Sequence, residues 1–179
     1  MVEQIMWGRV PVERATALLF YTKGSKIGDI LHELKYEGAL ENGEFLGQML
    51  GNQLKQCNDF STINFVVAVP LHRIKEQKRG YNQADVIAQE LAKTMGIAHR
   101  KDILLKIKNN QTQTKKGRFD RWQNATESYV ANSDLNLNHK HILLVDDVIT
   151  TGATLEACSQ ALREKYDVKI SIAAGAYAH

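Results

Sequence analysis

Two neighbouring carboxylates, Asp146 and Asp147, follow the apolar run Ile142 to Val145 and precede a turn of small and hydroxylated residues, Thr150, Thr151, Gly152, Ala153 and Thr154. The run reads as a strand and the residues after the turn as a helix. The acids therefore stand at the carboxyl end of a strand, where open α/β sheets bind ligands. Thr150 to Thr154 can present successive backbone N–H groups and hydroxyls at a helix N-terminus, and Gly152 permits close approach. That is a cradle for a terminal phosphate. Carboxylates are wrong for phosphate itself but right for accepting hydrogen bonds from vicinal sugar hydroxyls, directly or through a divalent cation. A phosphate beside paired hydroxyls describes a ribose 5-phosphate. No Walker A or GxGxxG pattern competes with this set.

Positioning those groups takes a sheet. Phe65 to Val69 is a continuous apolar run that stops at Pro70, the pattern of a strand buried on both faces. Ala84, Ile87, Ala88, Leu91, Ala92 and Met95 recur at helical offsets, with Asn82 as cap, Asp85 in near capping-box position and Gly96 as stop. A helix carrying Leu155, Cys158 and Leu162 follows the acids, and Val168 to Ala174 reads as a last strand. This alternation predicts an α/β fold, a parallel sheet flanked by helices. Upstream, residues 15–21 read as a strand. Ile27, Ile30, Leu31 and Leu34 trace a helix with Lys35 in its last turn and Gly38 as its end. A second helix from about Glu41 is expected to turn Phe45, Leu46, Met49 and Leu50 to one face, with Gly43, Gly47 and Gly51 marking close helix packing. Residues 1–60 are expected to pack on the core as a small hood or N-terminal subdomain. Residues 61–179 would form the ligand-binding part of one continuous domain.

The length, 179 residues, suits one α/β domain, and 44% hydrophobic with 24% charged residues is ordinary for a globular chain. Apolar runs fall short of the roughly 18 residues of a membrane helix, and the N-terminus has no secretory apolar region, so a cytoplasmic protein without membrane contact is expected. Cys57 and Cys158 form no CxxC pair, which excludes a cysteine zinc site, and both read as small buried hydrophobes. His72, His139 and His141 read as surface residues, and no metal-ligand set stands out. The net charge of +3 is concentrated: Arg100 to Trp122 holds eight Lys/Arg against Asp102 and Asp120. A second basic cluster comprises Arg73, Lys75, Lys78 and Arg79. Such concentration calls for an anionic partner. Within residues 106–122, a long basic loop or hairpin, three readings stand open. Lys115, Lys116, Arg118 and Arg121 could close over the site and exclude water. Phe119 and Trp122 could stack bases of single-stranded DNA. The segment could also be a plain exposed loop.

The stretch from Ile142 to Thr154 resembles, over its full length, the phosphoribosyl pyrophosphate (PRPP) signature of type I phosphoribosyltransferases. Tyr36 after Leu34-Lys35, Val69-Pro70-Leu71-His72, Arg79-Gly80-Tyr81-Asn82-Gln83, and Gln111 to Thr114 with Arg118 and Arg121 are similar to the ComF/GntX family over nearly the whole chain. The resemblance implies a type I phosphoribosyltransferase-like fold. It implies an amidophosphoribosyltransferase-like enzyme that moves phosphoribosyl to a nitrogenous acceptor, with Mg²⁺ carried by PRPP. Asp146 and Asp147 would be the catalytic pair, and Asp146, Asp147, Val148, Thr150, Thr151, Gly152, Ala153 and Thr154 would bind the ribose 5-phosphate. Pro70, Leu71, His72 and Arg73 would meet the pyrophosphate, with Arg73 the favoured contact. The alternative is a non-catalytic PRPP or nucleotide sensor that binds single-stranded DNA or competence proteins. Many family members begin with a four-cysteine zinc module, whose cysteines this chain lacks. The acceptor and any homo-oligomer stay open.

Overall fold

The structure is a computed structural model and describes residues 2–22, 24–108 and 128–178. Its centre is β6 (His141–Ile149), whose first five residues are all buried. Such a strand must be covered on both faces, and it is. Five parallel strands lie in the order β1-β7-β6-β2-β3, with β1 at Ala15–Tyr21, β2 at Phe65–Ala68, β3 at Ala98–His99 and β7 at Lys169–Ala178. Alternation along β6 sends Leu143 and Val145 into one cluster with α1 (Lys26–Tyr36), α2 (Leu40–Lys55) and α4 (Gln83–Met95). Ile142 and Leu144 go to the other cluster with Leu155, Cys158 and Leu162 of α5 (Ala153–Arg163). The sheet is thus sandwiched between helices, as the alternating sequence predicts.

Local signals explain the boundaries. The Ser25 side chain accepts from the Gly28 N–H at the start of α1, and Asn82 accepts from the Ala84 N–H at the start of α4. Gly96 ends α4 at φ +73°, a left-handed conformation that costs a glycine little. The three glycines of α2 let it lie against α4. A Cβ on Gly43 would come within 2.8 Å of Val86, one on Gly51 within 2.8 Å of Thr94, and one on Gly47 would run into the carbonyl oxygen of Ile87.

Several expectations need correction. The face of α2 that meets α4 is Leu46, Leu50 and Leu54 with the glycines, whereas Phe45 is 61% and Met49 45% exposed. The segment between Pro70 and Asn82, for which no element is expected above, holds a helix, α3 (Arg73–Arg79), capped by His72 and ended by Gly80 at φ +87°. Asp85 does not close a capping box. Its carboxylate faces Lys101 at 2.5 Å and His99 at 3.2 Å. His141 is buried rather than at the surface, bonded through Nδ1 to Thr62 at 2.7 Å and through Nε2 to Ser171 at 2.9 Å, while exposed His139 pairs with Asp167. Cys158 is buried but Cys57 only partly so. The N-terminal sixty residues do more than pack on the core, because β1 is itself the edge strand, paired in parallel with β7. Apart from the main sheet stands a hairpin, β4 (Leu104–Lys106) antiparallel to β5 (Tyr129–Ala131). Lys115, Lys116, Arg118, Phe119, Arg121 and Trp122 lie outside the described residues.

Candidate functional site

Asp146 and Asp147 emerge where β6 passes the carboxyl end of β2, and a cleft of about 350 Å³ opens above them. Its walls include Lys35 and Tyr36 at the end of α1, Val69 to Leu71 after β2, Arg79 and Gln83 where α3 gives way to α4, Lys106 and Tyr129 from the hairpin stem, and Thr150 and Thr154 beyond the acids. The side chain of Asn82 holds the loop after β2 by donating to the carbonyl of Val69 at 2.9 Å.

The acids are not equivalent. Asp147 makes an ion pair with Lys35, Oδ2 to Nζ 2.7 Å. The carboxylate of Asp146 accepts from the Asp147 N–H at 2.9 Å. Burial, then repulsion from neighbouring Asp147, hold the Asp146 carboxyl well above the ordinary range of an aspartate. A ligand that donates hydroxyls, or a cation, would relieve that cost.

Opposite the acids, Lys106 Nζ donates to the hydroxyl of Tyr129 at 2.8 Å and lies 4.7 Å from its ring centre. Burial, and next the charge of Lys75, pull the Lys106 ammonium down. Burial pushes the Tyr129 phenol far up, so it stays protonated, and it lines the cleft together with Thr154 of the turn. The hairpin thereby reaches the Thr150–Thr154 turn. On the near wall, Arg79 donates to Gln83 at 2.8 Å and sits 5.2 Å above the ring of Tyr36.

The turn itself has the expected form. Gly152 caps α5 at φ +76°, and residues 146 and 148–155 enclose a small hollow. Val148 lines the main cleft and Ala153 the hollow. The four residues after β2 divide. Pro70 and Leu71 line the main cleft, but Arg73 lines an adjoining cavity of about 250 Å³ with Glu76 and Lys101. His72 lines neither, its Nδ1 accepting from the Ile74 N–H. Among the arginines of the basic cluster it is Arg79 that faces the acids' cleft. The sequence reading missed Lys35, Lys106 and Tyr129 as site residues. Lys35 had a sufficient explanation as a cation in a last helical turn, and the other two enter only because the hairpin folds back. Among the described residues no group of three or more His, Cys, Asp or Glu side chains gathers as a metal cage.

The parallel sheet, with paired acids and a threonine-rich turn at its carboxyl edge, defines the type I phosphoribosyltransferase fold class. The glutamine PRPP amidotransferase structure from B. subtilis aligns over 79% of this chain and 30% of its own, at TM-score 0.51 and 20% identity, a likeness of fold. The profile of the phosphoribosyl transferase domain matches residues 77–178. Competence protein F of Haemophilus influenzae is 37% identical over 62% of this chain and 48% of its own length. Competence protein ComFC of Bacillus subtilis is 30% identical over 81% and 57%, and the DNA utilization protein YhgH of Salmonella typhimurium 26% identical over 85% and 66%. The chain belongs to the phosphoribosyl transferase domain family and, within the type I phosphoribosyltransferases, to the ComF family. It spans about half to two thirds of the length of these relatives. No described helix is long and apolar enough to cross a membrane.

Proposed function

We propose that this chain binds PRPP in the cytoplasm and transfers its phosphoribosyl group to a nitrogenous acceptor as pyrophosphate leaves. One observation carries the reading: the acid pair, Thr150 and Thr154 at the two ends of the turn, and the cations Lys35, Arg79 and Lys106 border one cleft. The turn would hold the 5′-phosphate on backbone N–H groups. Asp146 and Asp147 would accept from the two ribose hydroxyls, Lys35 yielding its place on Asp147. The loop at Pro70 and Leu71 would receive the pyrophosphate, with Arg79 and Lys106 offsetting its charge in place of Arg73. Positioning and charge stabilisation would do the catalysis, through a transition state with oxocarbenium character, so no nucleophilic side chain is required. The donor set suits Mg²⁺ brought in on PRPP, which needs one or two carboxylate oxygens beside those of its ligand.

A second reading is supported by the names of the relatives, two called competence proteins and one a DNA utilization protein. There the cleft would sense PRPP or a nucleotide while basic surface meets single-stranded DNA. Calorimetric titration with PRPP and Mg²⁺ tests the cleft. Binding is expected, with loss in the Asp146→Ala/Asp147→Ala double variant and an unchanged far-ultraviolet dichroism spectrum. No heat with the unaltered chain would refute the transfer reading, and no heat with nucleotides as well would refute the sensor. Pyrophosphate release with candidate bases, amines or glutamine then separates them: PRPP binding without turnover, beside salt-sensitive DNA binding, favours the sensor.

A further inference from the structure

Behind the phosphate turn lies a short N-terminal stretch. Its Val2, Met6 and Val10 are buried in the cluster that holds Leu155, Cys158 and Leu162 of α5, which fixes the stretch to the helix that the turn begins. From this anchored base, Arg9 Nη1 donates to the carbonyl oxygen of Thr151 at 2.6 Å. The same atom lies 3.6 Å from the carboxylate of Glu156, whose side chain is only 8% exposed. Ile5 and Met6 occupy the space that a side chain on Gly152 would need: a Cβ there would lie 2.8 Å from Ile5 Cγ2 and 3.3 Å from Met6 Sδ.

In a trans peptide the C=O and the following N–H point in opposite directions, and the described chain has no cis bond. Holding the Thr151 oxygen against Arg9 therefore turns the Gly152 N–H to the opposite side. Among the described residues no acceptor takes that N–H. Without Arg9 this peptide could rotate and present an oxygen, which repels an anion, where a donor is needed. Glu156 adds a second reason. It sits in the first turn of α5, where a helix N-terminus attracts anions, and its own negative charge opposes that attraction unless offset.

We infer that Arg9 is a positioning residue for the phosphate cradle: it fixes the Gly152 N–H for the 5′-phosphate and neutralises Glu156 behind it. This rests on the proposed role of residues 150–154. The test titrates the full chain separately with ribose 5-phosphate and with pyrophosphate. Arg9→Met should weaken ribose 5-phosphate by about tenfold, the loss of one charge-assisted hydrogen bond, and leave pyrophosphate within about twofold. Arg9→Lys keeps the charge without the planar fork and should lose only about threefold. Ribose 5-phosphate binding by Arg9→Met within twofold of the unaltered chain, or an equal loss of both ligands, overturns the inference. Should Arg9→Met fail to fold, Arg9→Lys carries the comparison, and an undiminished affinity there is the refuting result. If the unaltered chain binds neither ligand, the functional reading falls and Arg9 is judged by nuclear relaxation. A lower ¹H–¹⁵N Overhauser effect at the Gly152 amide in Arg9→Met upholds the brace, and an equal one removes it.

Discussion

Asp146 trades stability for readiness. Its carboxyl is held up by burial and by Asp147, so the folded chain favours a proton there that the unfolded chain gives up near the ordinary aspartate value. The stability tied to this group is then full below that value and is lost as pH rises through the raised one. Asp146→Asn should raise stability by about 1 kcal/mol at about pH 8, have little effect at about pH 4, and lose PRPP binding. Thermal melts at both pH values check the first two, and titration checks the third. A variant less stable at the higher pH would contradict the assigned environment. At this scale the sequence disclosed the acids and the turn, because their types lie side by side in one segment. It could not disclose Lys35, which reaches Asp147 only when α1 packs across the sheet. Nor could it disclose the burial of His141, whose partners Thr62 and Ser171 come from distant segments.

Among the elements, α2 and α4 show how glycine spacing decides an interface. Gly47 lies so close to the backbone of Ile87 that any side chain must push the helices apart. Gly47→Ala should cost about 2 kcal/mol through overpacking, although alanine is the better helix former. A urea midpoint at or above that of the unaltered chain would show that the helices can separate without penalty. The sequence pattern marked α2 as a helix but misjudged its inner face. Phe45 and Met49 are as apolar as Leu46 and Leu50, and only the glycine row distinguishes the side that approaches α4. The helix α3 escaped notice for the opposite reason. Arg73–Arg79 carries a single apolar residue, Ile74, so it has no stripe, and its ends are set by the His72 cap and by Gly80.

For the whole molecule, β6 joins the two halves of the core. Leu143 and Leu144 are adjacent, fully buried and directed into opposite clusters. Leu143→Ala and Leu144→Ala should each cost roughly 2–5 kcal/mol, and each should shift one common unfolding transition. Hydrogen exchange on amides of α4 and of α5 after either change reads this directly. Selective loosening of the helix on one side would mean that the layers unfold independently. The sandwich was legible in the sequence because strand and helix periods alternate. The strand order was not, since pairing partners lie far apart along the chain and periodicity carries no address.

That order has a consequence for birth. Ala15 pairs with Ile172 and Tyr21 with Ala178, so β1 acquires this neighbour only once β7, far down the chain, has been made. Until then β1, with Phe20 on its outer side, offers bare amide and carbonyl groups to whatever passes. Nascent chains should consequently depend on holding chaperones until β7 is made, and ribosome-bound chains stopped before Lys169 should capture more chaperone than chains carried past Ala178.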